Sequence, residues 1–397
     1  MRRSFTALFY DLNYGLKSDL TSLKFSHPEP MAFILTFLGK GGVGKTTVAL
    51  AAANHLTHQG NRVLFATQDA SPALAIILGE FVGSDPKKVG LGFDAVQLRS
   101  TVLLERAWDE LKKLESQYLR TPFFNSVYGE ELGILPGMDS ALALNAIRQW
   151  DSQYDVIVYD SPSSPEVLRM LGMPEVVSWY MRRFQQVFVD SDLGKTLSPF
   201  VPPVAAAILN FNFMGDNFSK PTADVTGLLD KGIKILSEPN QTIAYLVTTA
   251  DPVAQATAQY LWGAAQQAGL CVAGVIANPA GGASIGTLEM NALEGFGDLP
   301  TAQLPQDSNP WPMLSAALPD FSQRGNAKRS VVVDKPGRKV SLYLPSFDKT
   351  QVKLTQYGPE ITIEAGDQRR NVFLPVELSG LPVAGAKFQD GYLIISF

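Results

Sequence analysis

Cysteine is the scarcest chemistry-bearing residue in this chain. Among 397 residues there is one, Cys271, together with only three histidines. A single thiol excludes an intramolecular disulfide and any single-chain thiolate cluster, so no zinc is expected. Long apolar runs are also missing. None reaches the roughly 20 residues that a membrane-spanning helix needs, so no integral membrane span is expected. Nor is there an excess of basic charge: 33 Lys and Arg face 38 Asp and Glu, a net charge of −5. A broad basic face is therefore not expected, and nucleic acid is set aside as a partner. Charged residues make up 18% and hydrophobic ones 46%, which excludes wholesale disorder and supplies core for more than one domain. The expectation is a cytoplasmic protein whose membrane role, if it has one, is peripheral.

The first thirty residues read as an N-terminal extension. They hold no signal-peptide core, and Met31 stands directly before an apolar strand pattern. An upstream start codon or a weakly ordered native tail both explain them. From Met31 onward, short near-continuous apolar runs (Phe33–Leu38, Arg62–Thr67, Asp155–Tyr159, Ile243–Thr248 and Val272–Ala277) alternate with helical stretches such as Thr46–Gln59 and Val102–Leu119. Strands of that texture suit a sheet buried on both faces. The alternation predicts an α/β, doubly wound, mostly parallel sheet. Residues 300–330 are dense in proline and read as an irregular bridge. Beyond it, six short runs separated by Lys335-Pro336-Gly337, Gly366-Asp367 and similar turn signals predict a small all-β sandwich. The expected division is an extension over 1–30, a nucleotide-binding domain over 31–322 and a β domain over 330–397.

Gly39-Lys40-Gly41-Gly42-Val43-Gly44-Lys45-Thr46 satisfies G-x-x-x-x-G-K-[ST], with an apolar strand before it and a helix-forming stretch after it. Glycines at 39, 41, 42 and 44 allow backbone N–H groups to curl around a triphosphate. Lys45 can reach the terminal phosphates, and the Thr46 hydroxyl can ligate Mg²⁺. Gly39, Gly41, Gly42, Val43, Gly44, Lys45, Thr46 and Thr47 are the nucleotide-binding candidates, with ATP and Mg²⁺ as the expected cofactors.

The loop is one of four segments that carry a resemblance to the arsenite-pump (ArsA) and tail-anchored-protein targeting ATPases, within the deviant P-loop class. Asp69–Glu80 resembles the family's switch I. Tyr154–Asp160, leading to Leu168-Arg169, resembles switch II, and Gly274–Asn278 resembles the strand whose last residue reads adenine. The resemblance implies that Lys40 reaches a partner's nucleotide in a homodimer. It also implies that Asp160 holds the Mg²⁺ shell, that Asp69 approaches the metal or the attacking water, and that Asn278 meets the base. Lys40, Lys45 and Asp69 are thus the catalytic candidates, and Thr46 and Asp160 the metal candidates. Two departures stand out. The switch I position that holds an aspartate in the family is Ile76, which cannot orient water, so hydrolysis is expected to be slow. Switch II carries Pro165-Glu166 where the family has Gly-His.

Val177, Tyr180, Met181, Phe184 and Phe188 fall at i, i+3, i+4, i+7 and i+11, with Arg182, Arg183, Gln185 and Gln186 facing away. Further apolar residues follow, including Phe211 and Met214. On spacing such a stripe is ordinary core. In the resembled targeting ATPases this position forms a helical subdomain with a groove for a hydrophobic transmembrane segment. The corresponding ranges here are about 100–130 and 176–240, and Tyr180, Met181, Phe184, Phe188, Phe211 and Met214 are the client-binding candidates. Leu342–Pro345, Arg369–Pro375 and Gly391–Phe397 give the β domain a resemblance to a shortened α-crystallin-like, small-heat-shock domain. The reading that follows is a nucleotide-driven chaperone or carrier for hydrophobic membrane-protein segments. A nucleotide-gated scaffold with little hydrolysis stands beside it. The ATPase subunit of an anion pump ranks third, because metalloid sensing in that class uses several thiols.

Overall fold

The computed structural model describes residues 31–118, 124–135, 137–162, 165–190, 219–279, 293, 295–305 and 311–397. Phe33–Leu38 forms β1, whose residues are nearly all buried. Along it Phe33, Leu35 and Phe37 pack with Val48, Ala49, Leu50 and Ala52 of helix α1 (Lys45–His58). Ile34, pointing the other way, packs against the cluster holding Ala143, Ala146 and Ile147 of α4 (Met138–Trp150). Alternating side chains that are apolar on both faces require a strand covered on both sides, which a parallel sheet with helices front and back provides. The alanines of α1 leave little side-chain bulk between helix and sheet. The helix stops before Gly60, whose φ of +91° favours glycine.

The remaining strands of the main sheet are β2 (Val63–Thr67), β3 (Lys87–Lys88), β4 (Asp94–Gln97), β5 (Val156–Asp160), β6 (Thr242–Thr248), β7 (Val272–Ala277) and β8 (Thr301–Gln303). They order as β3-β4-β2-β5-β1-β6-β7-β8. Every pairing is parallel except β3 with β4 at one edge. The other helices are α2 (Ala73–Leu78), α3 (Ser100–Tyr118), α5 (Pro165–Leu171), α6 (Met173–Asp190), α7 (Ser219–Ser237), α8 (Pro252–Gln267) and α9 (Trp311–Ala316). Among the described residues no helix is long and apolar enough to cross a membrane. Of the segments expected to form a helical subdomain, α3 packs on α4, which lies outside the expected ranges, while α6 packs on α7.

The proline-dense segment is more regular than its sequence suggests. It contributes edge strand β8 and helix α9, which packs on α1, and it buries Leu304 and Phe321 in the main core. Prolines punctuate these short elements without preventing them, because an edge strand and a single helical turn need few ladder hydrogen bonds.

The β domain is a sandwich, as expected. One sheet orders β14-β15-β10-β9 and the other β11-β12-β13, from β9 (Val331–Asp334), β10 (Lys339–Tyr343), β11 (Val352–Tyr357), β12 (Glu360–Ala365), β13 (Gln368–Phe373), β14 (Gly385–Gln389) and β15 (Tyr392–Ser396). Val340, Leu342, Ile361, Ile363, Leu393 and Ile395 meet between the sheets. Strand β14 was not anticipated. Its Gly-Ala-Lys-Phe-Gln is exposed along nearly its whole length, with Phe388 as its one large apolar residue.

Candidate nucleotide site

The P-loop leaves β1 at the middle of the sheet and turns into α1. Two glycines hold positive φ there, Gly42 at +84° and Gly44 at +89°. Gly39 is required for a different reason: a Cβ on it would lie 2.2 Å from the Val247 carbonyl oxygen. The loop therefore passes the end of β6 at a distance only a glycine backbone permits. Gly44 is the N-cap of α1 and supplies no side-chain cap, and the first turn contains no acidic residue. The leading N–H groups and the positive end of the helix dipole are thus left for an anion.

Opposite the loop, Asp160 closes β5. Its Oδ2 accepts from the Thr46 hydroxyl at 2.9 Å and from the Thr67 hydroxyl at 3.0 Å. Burial raises the Asp160 pKa above the usual carboxylate range, partly offset by those two hydroxyls and by Lys45. The Lys45 pKa is lowered by burial, with Asp160 pulling the other way. Its ammonium donates to the Lys40 carbonyl at 3.1 Å, so it is already curled over the loop. A buried carboxylate beside a Thr hydroxyl fits Mg²⁺, which typically takes one or two protein oxygens and completes its shell with phosphates and water. Among the described residues no group of three acidic, His or Cys side chains forms a self-sufficient metal cage.

The other candidates are placed as follows. Lys40 lies 3.3 Å from Asp251, the N-cap of α8, within its own chain. Asp69 follows β2, and its carboxylate accepts from the Ser71 N–H and the Ser71 hydroxyl, each at 2.9 Å. Gln97 fixes that turn by donating to the Asp69 and Ser71 carbonyls. Asn278 ends β7 directly behind the loop, where its Nδ2 donates to the Val43 carbonyl at 2.8 Å. Ile76 sits on α2 and is 76% exposed. Thr67 and Asp251 were missed from sequence. Thr67 was findable, since it ends the strand before Asp69. Asp251 had only its place ahead of a Pro-led helix to mark it.

Of the client candidates, Tyr180 is 53% exposed on α6 and Met181 is half-buried. The Phe184 and Phe188 side chains, and all of Phe211 and Met214, lie outside the described residues. Trp108, on α3, donates its indole N–H to the Val127 carbonyl and packs edge-on to Phe124 at 5.1 Å. The face of α6 opposite the apolar stripe meets the β domain. Trp179 donates to Glu360 at 2.8 Å, and Arg182 lies 3.6 Å from the same carboxylate and over the Phe373 ring.

A parallel sheet with a glycine-rich phosphate loop at its centre, facing a buried carboxylate at the end of the neighbouring strand, defines a P-loop nucleotide hydrolase. Residues 31–280 match the model of the anion-transporting ATPases, the ArsA ATPase domain, and the chain belongs to that family. Residues 335–397 match the HSP20-like domain found in ArsA proteins. A protein of Chlorobaculum tepidum, provisionally named arsenical pump-driving ATPase, is 27% identical over 92% of this chain and 95% of its own. A protein of the same name from Prosthecochloris vibrioformis is likewise 27% identical, over 92% and 95%. The ATPase GET3 of Mycosarcoma maydis is 28% identical over 41% of this chain and 47% of its own.

Proposed function

We propose that this ArsA-family chain is a Mg²⁺-ATP hydrolase that works as a homodimeric, nucleotide-driven carrier for hydrophobic membrane-protein segments. The observation that carries the ATPase part is the triad of Lys45, Thr46 and Asp160 gathered around an uncapped helix N-terminus. Lys45 releases the Lys40 carbonyl and neutralises the terminal phosphates. Thr46 and Asp160, now hydrogen-bonded to each other, are the residues that would hold Mg²⁺. Mg²⁺, when bound, offsets the charge on the phosphates. Asn278 holds the back of the loop through Val43 and lies beside the base. Lys40 gives up its half-exposed pair with Asp251 to meet the partner's nucleotide.

Orientation of the attacking water falls to Asp69. Two hydrogen bonds to Ser71 hold it in a turn, and Ile76 offers nothing in its place. Turnover is accordingly slow, since a carboxylate already engaged by Ser71 orients water less well than a free one, and a positioned base is typically worth about 10²–10⁴-fold. The carrier part is supported by Tyr180, exposed on a helix whose opposite face is covered, and by the resemblance of this segment to the client groove of targeting ATPases. Residues 31–322 form the ATPase part and 330–397 a β domain that shields or stabilises it.

Ile76 favours a second reading, a scaffold that binds ATP and rarely hydrolyses it. Pump service by metalloid-sensing thiols is disfavoured, because Cys271 is the lone cysteine and its thiol pKa is pushed up by burial. The test is steady-state hydrolysis beside nucleotide binding for wild type, Lys45→Ala and Asp69→Asn. The proposal requires turnover in wild type, loss of binding in Lys45→Ala, and loss of turnover with binding kept in Asp69→Asn. Tight binding without turnover in wild type moves the protein to the scaffold class.

A further inference from the structure

The hairpin β12–β13 of the β domain grips the ATPase domain at two elements that lead back to the nucleotide site. The first is the pair α5–α6, which starts only a few residues after Asp160. Arg169 of α5 is ion-paired to Asp367, and Glu175 of α6 is paired to Arg370 at 3.0 Å. The second is α8. Its N-cap Asp251 holds Lys40 of the P-loop, and its last turn, about 24 Å away by helical rise, meets the β domain. There Gln267 donates to the Ile363 carbonyl at 2.9 Å, and Arg370 donates to the Gln266 carbonyl at 3.2 Å. The fit is close. A Cβ on Gly263 would lie 2.6 Å from the Pro345 carbonyl oxygen, and one on Gly269 would lie 3.3 Å from the Arg370 guanidinium.

Arg370 is therefore the node where both routes meet. Its side chain is 7% exposed, and one fork serves a carboxylate on α6 and a carbonyl at the negative end of α8. Leu168 of α5 shares a buried cluster with Ala258, Leu261 and Ala265 of α8, so these helices are packed together beneath the node.

Resting on the ATPase reading, we propose that Arg370 is a positioning residue for the hydrolytic cycle. It pins the helices that follow switch II against α8, so that any nucleotide-driven shift of α5–α6 must move the β domain with it. Pinning opposes that shift, and releasing the pin speeds turnover. The motion the pin transmits is what makes the β domain a reader of nucleotide state instead of a passive cap.

The test is amide hydrogen exchange on the full-length chain with and without Mg-ATP, in wild type, Glu175→Gln and Arg370→Lys, beside kcat, KM and melting temperature. Glu175→Gln keeps the shape and an acceptor oxygen but removes the charge. Arg370→Lys keeps the charge but loses the fork. In wild type, ATP should protect 39–46 and change exchange over 361–372 at least twofold. In Glu175→Gln the first effect should persist, the second should fall by half or more, and kcat should rise at least threefold with KM unchanged. Arg370→Lys should lie between the two. Protection at 39–46 with no response over 361–372 in wild type overturns the inference and leaves the ATPase reading intact. Unchanged kcat and coupling in Glu175→Gln, with only a lower melting temperature, overturns it too, reducing the pair to structural glue. No protection at 39–46 removes both readings.

Discussion

Two ion pairs of similar length mark the two ends of α8, and they stand in different surroundings. Lys40 and Asp251, 3.3 Å apart beside the P-loop, are 43% and 39% exposed. Arg370 and Glu175, 3.0 Å apart at the β-domain junction, are 7% and 19% exposed. Water screens the first pair and offers either member an alternative, so the pair is cheap to open. The second has given up its hydration and is held by further hydrogen bonds, so removing one partner strands a buried charge. On the proposed function, the P-loop end of the molecule exchanges partners, whereas the junction end stays together and moves as a unit.

The largest way to break this contrast is Arg370→Ala. Leaving Glu175, 19% exposed, without its partner is expected to cost about 2–3 kcal/mol, below the value for a fully buried pair and seen as a lower midpoint in chemical denaturation. A midpoint close to wild type would mean that the junction is as labile as the loop. Next comes Asp160→Asn, which should change stability in the opposite direction. The folded Asp160 pKa is raised above the unfolded value, so the native state holds that proton more firmly than the unfolded state does. The resulting stability is present at acid pH and is lost as pH rises through the folded pKa, leaving a penalty at neutrality. The Asn variant, without nucleotide, should therefore melt higher than wild type near pH 7, with the difference shrinking toward pH 4. It should also lose Mg²⁺-dependent nucleotide binding. The smallest effect belongs to Lys40→Ala, which should leave the melting temperature near wild type and should matter only for turnover. Raising the salt concentration should mimic its stability effect.

The same contrast explains what the sequence discloses. The candidate phosphate site is written within eight consecutive residues and one strand end, and its geometry follows from glycine stereochemistry and helix polarity. Strands β1 and β7 were placed with the boundaries observed, since a strand buried on both faces leaves an apolar run. Asp251 and Arg370 lie far from the loop in sequence, and each makes a contact that only the folded chain creates. Nothing in Gln368-Arg369-Arg370 indicates that the last of these polar residues turns inward to a helix C-terminus. Strand β14 escaped because an exposed edge strand holds only one large apolar residue, Phe388, and β8 because prolines surround it. The amphipathic pattern of α6 was legible, but its polar face meets the β domain, which no periodicity specifies.

The most direct measurement is binding of a single-span, leucine-rich transmembrane peptide to the full-length protein, with Mg-ATP and with Mg-ADP, in wild type and Lys45→Ala. A nucleotide-driven carrier should bind the peptide with an affinity that differs at least fivefold between the two nucleotides. Lys45→Ala should erase that difference. Peptide affinity that is absent, or equal in both nucleotides, would contradict the carrier function and leave an ATPase whose cycle serves something else.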